Sequence, residues 1–396
     1  MAILFGTTGD GTTLPVLVDQ FGNLLAKGIP GDEGPPGPPG GSFALPPDPV
    51  DGDVLGWENG QLVWVSEPIP PVNPSIFTPV LYTGNAGTQS ITGLGFSPDL
   101  VWIKSVDATY DHALFDTVRG ALNRIRSNTT SAEGTDTATL TSFDTDGFTI
   151  GSDDVVNKSS EDYIAWCWDA GDTTVTNNDG SIESQVRSND NFSVVSFVSA
   201  GTNGGNFSVG HGLSNKPDFA LVKTTGAASD WTVYHASVCD NTSKYLVLNS
   251  SDGLRNYPVW GDNLPTSSVL GLTSGGAVNV NQTCIAYCWA ETSGVSSFGS
   301  YTGASNLKIT TGFKPAFVMI KCSSDSGFDW VIVDSARGNE ADGVSNKLYP
   351  NTANKENDNS RGTKTKINFL DDGFQFADES AETNTPSRTY IYAAFL

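Results

Sequence analysis

The chain is 396 residues long, with 38% apolar and 16% charged residues and 43 glycines, a mix that suits short strands joined by many turns rather than one large helical core. Its 21 Lys and Arg stand against 44 Asp and Glu, and the resulting formal charge of −23 argues against nucleic acid as a partner and favours solubility and mutual repulsion. Five cysteines, at 167, 239, 284, 288 and 322, are odd in number and lack a C-x-x-C spacing, so neither a disulfide framework nor a zinc site follows.

The start, Met1 to Gly6, has no basic segment and too short an apolar run for a signal peptide, and nowhere do about 18 apolar residues run together. Cytoplasmic synthesis without a membrane span is expected. Thr12 to Asp19 reads as a strand, followed by a turn at Gln20 to Asn23 and an apolar stretch at Leu24 to Ala26. A hairpin-sized segment is too small to fold alone, so residues 1–27 are expected to anchor the chain to a larger assembly.

From Gly28 the sequence runs Gly-Ile-Pro, Gly-Asp-Glu, Gly-Pro-Pro, Gly-Pro-Pro, with glycine at 28, 31, 34, 37 and 40. Only glycine fits where three polyproline-like strands meet on a shared axis, so residues 28–41 predict a collagen-like triple helix and therefore three chains. The competing reading is a flexible Pro/Gly linker, which needs no strict period. Four triplets have little to offset the entropy of association, and flanking segments must add to the trimer. In residues 42–74, Val54 to Glu58 and Gln61 to Val65 flank Asn59-Gly60 and predict a hairpin. Trp57, Leu62 and Trp64 would pack across the threefold axis or within one chain, and Glu67 to Pro74 forms a stiff spacer.

Beyond residue 74 the chain repeats itself. Pro98-Asp-Leu-Val-Trp-Ile-Lys104 returns as Pro217-Asp-Phe-Ala-Leu-Val-Lys223 and as Pro315-Ala-Phe-Val-Met-Ile-Lys321. A second landmark follows in step: Ile164-Ala-Trp-Cys-Trp168, Ile285-Ala-Tyr-Cys-Trp289 and Ile391-Tyr-Ala-Ala-Phe395. Three units are implied, at 75–171, 172–293 and 294–396. The runs are rich in Val, Ile and aromatics between Pro or Gly turns and predict strands buried on both faces. Each unit is expected to be a small antiparallel β-sandwich. Asp116 and Arg119 recur as Asp334 and Arg337 and read as intraloop ion pairs, whereas the second unit has His235 in that neighbourhood.

Catalytic chemistry is not expected. His112, His211 and His235 lie in different units without a repeated Ser or Cys partner, and no nucleophile elbow, His-Glu-x-x-His or Walker loop is present. Asp144-Thr-Asp-Gly147 fails the EF-hand spacing, and acid pairs such as Asp153-Asp154, Glu161-Asp162 and Asp371-Asp372 carry little weight among 44 acids. No cofactor or metal is called for. The polar run from Gly338 to Lys366 in the third unit gathers Lys347, Tyr349, Lys355 and Arg361, basic groups around an aromatic platform. These are the candidate residues for meeting an anionic or sugar-coated surface, the alternative being a solvated loop.

The small anchor, the Gly28 to Gly40 stem and the terminal units ending in strands like Ile164 to Trp168 together resemble the fibre and receptor-binding proteins of tailed bacteriophages, marine cyanobacterial phages in particular. The resemblance implies a mainly β, elongated homotrimeric fibre of the virion, docked through residues 1–27 on another virion protein. It further implies attachment to a host cell-surface polysaccharide or protein. A decorative fibre of the capsid and a polysaccharide-degrading spike are the competing readings. The spike is disfavoured because such enzymes stack short repeats, whereas the period here is about 100 residues.

Overall fold

Each of the three Pro-to-Lys runs forms a strand, Leu100–Ser105, Phe219–Thr224 and Phe317–Cys322, and every residue in all three is buried. The computed structural model describes residues 76–338, 344–356 and 365–396, preceded by the backbone of five strands. The chain divides into two units, Met1–Asn73 and Pro74–Leu396. In the first, Ile3–Thr7 pairs antiparallel with Thr13–Val18, which also pairs with Leu24–Leu25. Val54–Glu58 pairs with Gln61–Val65, Glu58 opposite Gln61, as the Asn-Gly pair predicts. The glycines Gly28, Gly31, Gly34, Gly37 and Gly40, and the packing of Trp57, Leu62 and Trp64, lie outside the described residues.

The second unit is mainly β and antiparallel, and its three repeats share one plan. In the first repeat a main sheet runs Phe77–Thr83, Asp162–Trp168, Leu100–Ser105, Ala113–Asp116 across its width, with a small sheet of Leu140–Asp144, Gly147–Ile150 and Gln89–Thr92 beside it. The third repeat has the same order, Ser296–Thr302, Thr389–Phe395, Phe317–Cys322, Val331–Asp334, with Lys347–Leu348 added, and a small sheet of Lys308–Thr310, Gly373–Phe376 and Ile367–Leu370. The second repeat widens its main sheet to eight strands and reduces its small sheet to Asn206–Gly210 and Val269–Thr273. Glycine is compulsory at one point of the small sheets: a side chain at Gly147 or Gly373 would place its first carbon 1.9 or 2.0 Å from the carbonyl oxygen of Ile91 or Ile309.

Alternation along the main strands explains their burial on both sides. In the first repeat Val101, Ile103, Phe115, Tyr163, Ala165 and Cys167 face the small sheet and meet Ile91, Leu140, Phe148 and Ile150. That is the expected sandwich. The opposite face, Leu100, Trp102, Leu114, Ile164, Trp166 and Trp168, has no second sheet of its own and joins the corresponding faces of the other two repeats in one shared core. At its centre Trp168, Trp289 and Phe395 form a triangle with ring-centroid separations of 5.8, 5.6 and 6.0 Å. These residues end the Ile164, Ile285 and Ile391 landmarks, so the chain builds an internal pseudo-threefold axis. The three repeats are therefore not sandwiches set in a row. A row would leave one apolar face of a main sheet open to water at each end, and each buried large apolar side chain is worth about 1.5–3 kcal/mol.

Candidate functional site

The seams between repeats are held by bonds that recur three times. His112, Trp231 and Trp330 occupy the same place in the three main sheets. Trp231 donates its ring N–H to the Arg126 carbonyl of the first repeat at 2.8 Å, Trp330 to the Val247 carbonyl of the second at 2.9 Å, and His112 to the Tyr349 carbonyl of the third at 3.0 Å. A parallel set of backbone bonds runs from Glu133 to Thr225, from Leu254 to Ser323 and from Glu356 to Val106, at 2.9, 2.8 and 2.9 Å. Each set visits all three seams and returns to its start. Within each repeat an Asn–Asp clamp presents the crossing segment: Asn128, Asn249 and Asn351 accept the main-chain N–H of those ring residues and donate to Asp111, Asp230 and Asp329.

A charged cluster seals two of the seams. Arg119 contacts Asp116 at 2.6 Å and Glu133 at 2.8 Å, while the Tyr287 hydroxyl of the second repeat donates to Asp116 at 2.7 Å. Arg337 likewise contacts Asp334 and Glu356, each at 2.7 Å, and Trp166 of the first repeat donates to Asp334 at 3.0 Å. Burial opposes the charge on both guanidiniums, but the adjoining carboxylates outweigh it and hold the arginines above their ordinary pKa. The expected intraloop pairs are present and are also bridges between repeats. In the second repeat the three positions carry His235, Val238 and Leu254, and the latter two pack against the shared core.

The histidines have no free ring nitrogen. Each accepts at Nδ1 from an N–H, of Trp102, Leu213 or Ser237, and donates Nε2–H to a carbonyl, of Tyr349, Thr266 or Tyr392. Indole and amide N–H can only donate and carbonyls can only accept, so the tautomer of all three is fixed as neutral. Burial lowers their pKa values, that of His235 to about 4. The repeated lysines Lys104, Lys223 and Lys321 are buried and bond to main-chain carbonyls such as those of Ala108, Thr130 and Phe328. Burial lowers them to about 7, 8 and 8. All five cysteines are buried and unpaired. Among the described residues no His, Cys, Asp and Glu are grouped to hold a metal, and no helix is long and apolar enough to cross a membrane.

Two of the proposed contact residues of the third repeat, Lys347 and Tyr349, are buried. Lys347 is 3% exposed and pairs with Glu382 at 2.7 Å, and Tyr349 is 1% exposed, with its carbonyl taken by His112. The basic group and the aromatic platform are thus consumed in the fold. Lys355 is exposed, and Arg361 lies outside the described residues.

A surface feature that the sequence did not announce lies on the second repeat. Ser181, Asn206, Ser208, Asp262, Asn263 and Thr266 border a cleft of about 210 Å³, with Phe207, Leu264, Val269 and Gly271 completing its lining. It sits on the outer face of the small sheet, where Asn206 and Ser208 stand opposite Thr273 and Gly271.

No curated protein and no solved structure matches the chain. A family model described as a domain of unknown function, DUF7483, matches residues 73–396, which spans the whole three-repeat unit. The chain accordingly belongs to the DUF7483 family.

Proposed function

We propose that the chain is a fibre protein of a bacteriophage virion, trimerised through the Gly28 to Gly40 stem, anchored through residues 1–27, and attached to its bacterial host by the three-repeat unit. The observation that carries this reading is the division of labour within that unit. Of its buried polar groups, His112, His235 and both Asp–Arg–Glu clusters are spent on closing the ring, while the second repeat differs from the other two in added main-sheet strands, in its small sheet and in its outer loops. Such a unit is a rigid scaffold bearing variable surface, which serves adhesion rather than turnover. Three copies on one stem would add avidity to weak individual contacts.

The test uses the full chain and whole particles. Sedimentation is expected to give three times the chain mass of 41.8 kDa. Antibody labelling should place the protein on an appendage, and the purified chain should compete with particles for host cells. Labelling spread over the capsid with no competition would favour a decorative fibre, and release of sugar reducing ends from envelope would favour a degrading spike.

A further inference from the structure

We propose that the cleft on the second repeat is a binding site for a neutral sugar, an inference that rests on the attachment reading above. The pseudo-symmetry supplies an internal control, because the same face can be compared in the other two repeats. In the first, the strand Leu140–Asp144 borders the small sheet, and Thr149 opposite Ser90 bonds to Ser90 at 2.8 Å and to Asp144 at 2.7 Å. That face satisfies itself. In the third, Ile367–Leu370 takes the bordering place and Gln375 stands opposite Lys308.

The second repeat departs at both points. Its small sheet has no bordering strand, and residues 257–268 cross instead as a loop without strand. Where the others carry Thr149 and Gln375 it has Gly271, opposite Ser208. A side chain there would bring its first carbon 2.6 Å from the Asn263 carbonyl oxygen and 2.7 Å from that of Trp260. Glycine thus lets the loop lie on the strand and floors the cleft. The loop is fixed rather than loose: Trp260 donates to the Lys244 carbonyl at 2.8 Å and His211 to the Thr266 carbonyl at 3.1 Å. A pre-formed site loses less ordering entropy when it binds.

The lining selects the ligand. Asp262, an exposed residue, accepts from the Asn206 amide at 2.7 Å through one oxygen, and neither its other oxygen nor the side chain of Asn263 has a hydrogen-bond partner among the described residues. A carboxylate oxygen and a free amide side by side match adjacent hydroxyls, which donate and accept at once. Leu264 and Val269 offer an apolar wall for the C–H face of a ring. No Lys or Arg lines the cleft, and one carboxylate does, so anionic sugars and phosphates are disfavoured. A single carboxylate is also too few for a calcium site.

The experiment measures equilibrium binding of the full chain to a panel of mono- to tetrasaccharides of glucose, galactose, mannose and N-acetylglucosamine, with uronic and sulfated sugars alongside. Saturable binding to a neutral member is expected, weakened about tenfold or more in Asp262→Ala and Asn263→Ala and unchanged in Gln375→Ala on the third repeat. Both loop residues are exposed, so their loss leaves the core intact. Neutral-sugar binding that survives both substitutions, or preference for the acidic sugars, overturns the assignment. If no neutral sugar binds while the full chain still competes for host cells, the cleft assignment falls and the attachment reading stands. Failure of both binding and competition overturns both.

Discussion

His235 donates its ring N–H to the carbonyl oxygen of Tyr392 at 3.0 Å, closing the seam between the second and third repeats. The other two seams use an aromatic donor, Tyr287 or Trp166, aimed at a carboxylate, Asp116 or Asp334. In the third repeat the donor's place in the Ile391 landmark is taken by Ala393, which has nothing to give. A carboxylate facing it would be buried without that partner, and a histidine that donates for itself removes the difficulty. With the carboxylate gone, an arginine and a glutamate would in turn be unpaired, and Val238 and Leu254 stand in their places. Four positions therefore vary as one set.

That coupling predicts strong non-additivity. Arg337→Val strands Asp334 and Glu356 and should cost about 3–5 kcal/mol in urea unfolding. In a Trp166→Phe background, which removes the facing donor, the triple variant Asp334→His, Arg337→Val, Glu356→Leu copies the second repeat's residues and should regain more than half of that loss. A triple variant no more stable than the single one in that background would refute the coupling.

Trp166→Phe keeps the ring in the core and deletes only the donor to Asp334. The expected loss is about 1.5–3 kcal/mol, since the acceptor is charged and buried. Urea midpoints at unchanged slope are the readout. The fold that places this donor was partly legible. The two landmarks mark strands buried on both faces, and the Asn59-Gly60 hairpin follows from local chemistry. Which surface covers the second face is not in the pattern, because apolar periodicity reports burial and not the partner. The burial of Lys347 and Tyr349 is hidden for the same reason: their partners Glu382 and His112 lie 35 and 237 residues away in sequence. The cleft was invisible because it depends on a strand the second repeat lacks.

At the axis, the indole N–H groups of Trp168 and Trp289 have no hydrogen-bond partner among the described residues. Each unmet donor costs about 1–3 kcal/mol, comparable to the cavity left by a smaller ring. Trp168→Phe and Trp289→Phe should therefore change stability by less than about 1.5 kcal/mol, in keeping with Phe395 at the third corner. Calorimetric midpoints would show it, and a large loss at either position would mean that the N–H is satisfied.

Acidification should weaken the seam at His235. Its pKa falls from 6.5 when unfolded to about 4 when folded, because burial disfavours the charged ring. The unfolded chain binds more protons between those values, so the stability is present above pH 6.5 and is lost as pH falls through 4. The full swing is about 3 kcal/mol. His235→Gln keeps a donor without a titrating group, and its stability between pH 7 and pH 4 should fall by about that much less than the wild type's.

The seam between the first and third repeats joins residues such as His112 and Tyr349, 237 positions apart. Its closure depends on the strand Thr389–Phe395, which lies between Ser296–Thr302 and Phe317–Cys322 and carries the third corner of the aromatic triangle. During synthesis the first two repeats emerge with part of their shared face uncovered, and the cover stays incomplete until that strand supplies Ile391, Ala393 and Phe395. Long-range closure of this kind slows folding, and interactions formed late chiefly retard unfolding. The ring thus acts as a proofreading step: a chain cut short before Thr389 cannot complete the shared core, and one that has closed reopens only by losing a whole seam.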